Sequence, residues 1–196
     1  MNTIQFFLLH HNRLYFEPSG ILKRISGLSD KQLRLCQHNL NSIAWILWHM
    51  ARCEDFAINR IIIGKDQVFD TDNFAGRFNV SRRDIGTSMS YDEVISLSNQ
   101  IDLDSLREYS VAVATKTQKV IQKLPSEQLN QLPNSVYLNK VLFEEGALNK
   151  NSEWVAEHYS NKSKGWFLGH LGLTHPRGHL GQIILLRKLI GLGSGE

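Results

Sequence analysis

Apolar positions recur at helical spacing along most of this chain. After Ser90, the residues Val94, Leu97, Ile101, Leu106, Val113, Val120, Ile121 and Leu124 form one stripe at roughly 3.6-residue intervals, and no Gly or Pro intervenes before Pro125. This predicts a single long helix over 90–124. A second helix is predicted over 42–63, ended by Gly64. Its Ile43, Ile46, Leu47, Met50, Phe56, Ile58, Ile61 and Ile62 make it apolar on most of its surface, so it should lie at the centre of the fold. A third is predicted over 166–190, ended by Gly191.

The remaining segments read less clearly. Ser29 to Gln32 and Ser90 to Glu93 have capping-box spacing, in which the hydroxyl and the acceptor three residues on satisfy free backbone N–H groups. A weaker helical segment covers 21–34, with a first turn near Tyr15. Residues 65–89, rich in Asp, Asn and Gly, read as a long loop. Residues 137–148 fit a short helix or a strand, and 152–160 a short helix. Strand patterns are scarce. The expectation is an all-α chain, one domain over 1–196: a four-helix bundle with extra short helices and a long loop.

Charge and composition narrow the function classes. The 196 residues carry 22 Lys+Arg against 19 Asp+Glu, a net charge of +3 spread along the chain, so no nucleic-acid surface is indicated. The best candidate for a membrane span, 35–51, is interrupted by Gln37, His38, Asn39 and His49. The segment 1–16 has no basic leader and no cleavage site, so it is not read as a secretory signal. Two cysteines, Cys36 and Cys53, make no disulfide framework, and a cytoplasmic location is expected.

Eight histidines stand out. His175 and His179 are four apart, which on a helix puts both imidazoles on one face, a common way to offer two nitrogens to a divalent metal. Gln182 and Leu186 share that face, which is the apolar one. His170 falls well away from it and reads as structural or solvent-facing, as do His10, His11, His38 and His158. His49 sits in the most hydrophobic helix. It reads either as a hydrogen-bonded core residue or as a third ligand, and three His would leave an open coordination position.

These residues carry a resemblance. The segment Asn41-Ser-Ile-Ala-Trp-Ile-Leu-Trp-His49-Met-Ala-Arg-Cys-Glu-Asp55, with His175-Pro-Arg-Gly-His179-Leu-Gly-Gln182 about 125 residues downstream, resembles the DinB-like superfamily of metal-binding four-helix bundles. The likeness implies an up-down-down-up bundle with His49, His175 and His179 on one divalent ion: zinc or nickel, with iron or manganese as further options. It also implies a small-molecule substrate and a low-molecular-weight thiol as co-substrate. The family includes thiol-dependent S-transferases, members described as metal-dependent hydrolases, and stress-linked members with no known reaction. A homodimer is a further expectation.

Two features depart from the family pattern. Leu180 stands where Arg is frequent, and Pro176 lies between the two paired histidines. Proline there either kinks the helix or marks its first turn. Gly172, Gly178 and Gly181 weaken the same helix, and close helix approach around a metal would compensate. Cys53 reads as a small apolar filler, a fourth ligand or a reactive thiol. Glu54 reads as a solvated carboxylate, and Asp55 as a partner that orients a ligand imidazole. Arg77, Arg82 and Arg83 read as a solvated loop or as a cationic rim for an anionic substrate. Trp45, Trp48 and Trp166 read as core or pocket lining.

Overall fold

The apolar stripes pack together as four long helices in a computed structural model that describes residues 1–195. The first bundle helix, Thr3–Tyr15, starts from a capping box in which Asn2 and Gln5 bond reciprocally. Sequence pattern alone placed only a turn near Tyr15. The helix is amphipathic but short, and Gln5, His10, His11 and Asn12 dilute its stripe. The second bundle helix runs over 43–63, α-helical at Ile43–Asp55 and π-helical at Phe56–Ile63, and ends at Gly64. The fourth runs over 164–189, as Lys164–Gly169, a π turn at His170–Thr174, and His175–Leu189.

The expected long helix over 90–124 is two helices. Tyr91–Gln100 stops at Ile101, whose ψ of 134° leaves the helical region, and the third bundle helix, Leu103–Ile121, starts afresh with Asp102 as its cap. The Asp102 carboxylate accepts from the Ser105 amide, and the Asp102 amide donates to the Phe78 carbonyl. A cap without Gly or Pro is weak punctuation in a sequence whose apolar spacing continues across it. Both predicted capping boxes, at Ser29 and Ser90, form.

The second helix packs on the third and fourth, and so does the first, which makes a square bundle. Every residue over 42–59 is buried, the outcome expected of a helix apolar on most sides. The connections supply the short elements. Ile21–Ile25 and Asp30–Arg34 fill the first connection, and Val68–Thr71 and Phe74–Arg77 break up the expected long loop. Ser135–Asn139 continues into a π segment, Lys140–Glu144, and Trp154–Tyr159 follows. Among the described residues there is no strand, only one isolated bridge between Gln37 and Leu40. No helix among the described residues is long and apolar enough to cross a membrane.

Of Gly172, Gly178 and Gly181, only Gly172 is a close approach. A Cβ there would lie 2.9 Å from Phe7 Cε2 of the first helix, whereas nothing stands within 4 Å of Gly178 or Gly181. Close helix approach therefore explains one glycine and not the other two. Because the Phe7 ring is itself buried, Gly172→Ala should destabilise the bundle by about 1–3 kcal/mol through overpacking. An unchanged urea midpoint would contradict that packing.

Candidate metal centre

His49, His175 and His179 come together at the meeting of the second and fourth bundle helices. Each offers one ring nitrogen, and the three nitrogens lie within 4.8 Å of one another. His175 Nε2 is 3.1 Å from both His49 Nε2 and His179 Nε2. Two imidazole nitrogens bound tetrahedrally to one zinc-like ion would stand about 3.3 Å apart. The observed spacing fits that requirement.

The outer nitrogens fix the tautomers. His49 Nδ1 donates to the Ile85 carbonyl. His179 Nδ1 donates to Gln182 Oε1 at 2.8 Å. Both Nε2 atoms therefore present lone pairs toward His175. A single ring nitrogen carries a hydrogen or a lone pair, so His175 Nε2 can satisfy at most one of them. Its own Nδ1 is buried with no hydrogen-bond partner. Such an arrangement suits a shared cation better than mutual hydrogen bonds.

The same burial keeps the rings neutral. Burial, with His179 nearby, pushes His49 down to about 3. Burial and the adjacent imidazoles of His49, His179 and His170 push His175 down to about 2. Burial also lowers His179. Folded pKa values below the unfolded 6.5 mean that the unfolded chain binds more protons at acid pH. The thermal midpoint of metal-free protein should therefore fall as the pH drops from about 6.5 toward 3, and a flat profile across that window would refute the burial of these rings.

Pro176 does not displace His175. The helix passes through without interruption, with a π turn immediately before and Pro176 in the first turn of the following α segment, where its missing N–H matters least. The π turn also corrects the reading of His170. In an i to i+5 turn, residues five apart approach one face. The His170 ring accordingly lies 5.9 Å from that of His175 and lines the same cavity.

That cavity holds about 410 Å³, in the range of small-molecule sites. Trp45 stacks on His49 at 4.7 Å between ring centres and forms one wall, while Trp166 packs against His170 outside it. The roof is the segment 85–89, pinned by the Ile85 amide to the Ala147 carbonyl at 3.0 Å and by Asn149 to the Thr87 carbonyl at 2.8 Å. Trp154 Nε1 donates to Ser88 Oγ at 3.3 Å and ties the roof to the helix Trp154–Tyr159.

Three sequence readings need correction. Glu54 is fully buried, not solvated: it accepts from Tyr15 Oη at 2.6 Å and pairs with His11 Nε2 at 2.9 Å. That pairing also removes His11 from the unremarkable histidines. Asp55 does not orient an imidazole. It accepts from the Val68 and Phe69 amides at 2.9 and 2.8 Å, from Tyr109 Oη at 2.7 Å and from Asn59 Nδ2 at 2.7 Å. Beside it, buried Arg52 donates to Gln67, Tyr109 and the Arg83 carbonyl. Together they fasten the segment that ends in Ile85, so the carboxylate supports His49 at one remove. Third, the arginines make no cationic rim at this cavity. Arg77 pairs with Glu108, Arg82 with Asp84 and Glu93, and Arg83 with Asp70.

Cys53 lies at the cavity with its Sγ 3.8 Å from His49 Nδ1, but it is outside the group of converging nitrogens. Burial pushes its thiol up, the opposite of an activated cysteine. Nothing in the sequence distinguished Ile85. Its part is played by a backbone carbonyl, which any residue carries.

Comparisons with known proteins agree with this architecture. A crystal structure of a conserved protein from Enterococcus faecalis superposes with a TM-score of 0.66, covering 97% of this chain and 99% of that one at 16% identity. That likeness is one of fold. No curated protein matches the chain. The model of the DinB superfamily matches residues 13–183, a span containing both histidine motifs. The chain belongs to the DinB superfamily.

Proposed function

We propose that His49, His175 and His179 hold one divalent metal ion, and that the protein is a transferase joining a low-molecular-weight thiol to an electrophilic small molecule. The observation that carries this reading is the convergence of three neutral imidazole nitrogens beside a cavity with no carboxylate in its lining. An ion held there would lower the pKa of a thiol or water that reached it. Zinc and nickel suit an all-imidazole donor set, and iron and manganese are accepted less selectively.

The chain's own residues set the conditions. Ile85 and Gln182 hold two of the rings in the tautomer that leaves Nε2 bare. The roof over 85–89 and the helix Trp154–Tyr159 border the cavity. In the reaction, the thiol sulfur bonds to the electrophilic carbon, the leaving group departs with its electron pair, and the thiol proton passes to solvent or to His170.

A hydrolytic reading has one observation in its favour. His170 lines the cavity as the candidate general base, with its Nδ1 3.1 Å from Thr174 Oγ1. The two are separated by paired assays on protein of known metal content. A transferase consumes thiol with monochlorobimane, whereas a hydrolase turns over an ester or amide without thiol. Uptake below about a tenth of an equivalent of any transition metal after reconstitution would remove both.

A further inference from the structure

Asp84 lies outside the cavity lining, yet it bonds to the peptide unit that holds His49. Its carboxylate Oδ1 accepts from the Gly86 amide at 2.7 Å. That N–H belongs to the same peptide unit as the Ile85 carbonyl, which accepts from His49 Nδ1. In a planar trans peptide the N–H and the C=O point in opposite directions. A carboxylate on one side of the unit therefore faces an imidazole on the other, with a single peptide between them.

Every part of this relay is anchored. The Asp84 side chain is 13% exposed, and Arg82 Nε lies 2.9 Å from its Oδ2. Arg82 is held in turn by Glu93 at 2.9 Å. The residue before Asp84, Arg83, has its carbonyl held by Arg52. On the other flank, the Ile85 amide donates to the Ala147 carbonyl at 3.0 Å, and Asn149 Nδ2 donates to the Thr87 carbonyl at 2.8 Å. Gly86 has a φ of 81°, and its backbone lies against the Trp48 ring, where a Cβ has no room. Rotating the 85–86 peptide would break several of these bonds at once.

The charge has its own effect. A hydrogen bond to one end of an amide polarises it and strengthens the acceptor at the other end. The partner of a ligating imidazole's outer N–H fixes the ring and raises its basicity toward the metal. We infer that Asp84 is a positioning residue of the metal centre, which acts through the 85–86 peptide to orient the His49 ring and enrich its Nε2. Arg82 serves to hold Asp84 in place. The inference rests on the proposed metal binding, but the control of the His49 ring can be read without any metal.

Two variants of the full chain separate the acceptor from its charge. Asp84→Ala removes both, and Asp84→Asn keeps an acceptor oxygen. Zinc affinity, measured by competition with a chromophoric chelator, should fall about 10–100-fold in Asp84→Ala. In Asp84→Asn it should fall about three- to tenfold, the difference between a charged and a neutral acceptor. The His49 Nδ1–H signal in NMR spectra should move upfield and exchange faster with water in the same order, in zinc-free and zinc-loaded protein alike. Urea unfolding of the same preparations identifies any loss of fold. A carboxylate that served stability alone would lower the urea midpoint and leave the affinity and the His49 signal of the folded protein unmoved.

Parental values of either readout in Asp84→Ala would overturn the inference, and if that variant does not fold the same criterion applies to Asp84→Asn. A parent that takes up no zinc but whose His49 signal moves as stated removes the proposed function and leaves Asp84 as the residue that positions His49. A parent that binds zinc, with variants that match it, keeps the proposed function and removes this inference.

Discussion

Alanine at His49, His175 or His179 should each abolish stoichiometric metal uptake. Loss of even an outer partner of a ligand costs about 10–100-fold in affinity, so loss of a donor nitrogen should cost at least about a hundredfold. The three are expected to behave alike because His175 Nε2 sits 3.1 Å from each of the other two, and no further His, Cys, Asp or Glu joins the group among the described residues. His170→Ala should retain full uptake, since His170 lines the cavity without belonging to that group. Metal analysis of tag-free protein after reconstitution and dialysis reads all four variants. Loss at His170 with retention at His175 would reverse the assignment.

Asp55→Ala should produce the largest loss of stability. The carboxylate satisfies two backbone amides, Tyr109 and Asn59, and lies 4.0 Å from the buried guanidinium of Arg52. Removing it leaves a buried cation without its carboxylate, a change that costs about 3–5 kcal/mol. A second effect should follow at the site. The Asp55–Arg52 pair holds residues 67–69 and the Arg83 carbonyl, and this segment leads to the Ile85 carbonyl that fixes the His49 tautomer. Metal affinity should therefore fall about 10–100-fold even in the fraction that stays folded. Urea unfolding and metal titration of the same variant measure the two effects. A destabilised protein with unaltered metal affinity would show that Ile85 is held by the 147–154 side of the roof alone.

The long apolar helices were legible because burial at 3.6-residue spacing is written directly into residue type. The ends at Gly64 and Gly191 and the two capping boxes were legible for a similar reason: each depends on a few adjacent residues. The break at Ile101–Asp102 was not, because its apolar stripe continues and its cap is an ordinary Asp. The pairing of His175 with His179 followed from spacing along one helix. Their meeting with His49 was implied by the family likeness and displayed only by the packed helices.

Glu54 and Asp55 illustrate the limit most clearly. In the sequence Glu54 reads as solvated and Asp55 as the partner of an imidazole, and here both are structural. One closes on His11 and Tyr15 of the first helix and the other on backbone amides far along the chain.

By itself the sequence determined the helical class, the central place of the second helix, and the shared face of His175 and His179. These depend on periodicity and local spacing. The tertiary structure alone decided the tautomers, a cavity lined without Asp, Glu, Lys or Arg, and the return of His170 to that lining. Each of these arises where segments distant in the chain meet, through backbone carbonyls, ion pairs and a π turn that leave no mark on residue type.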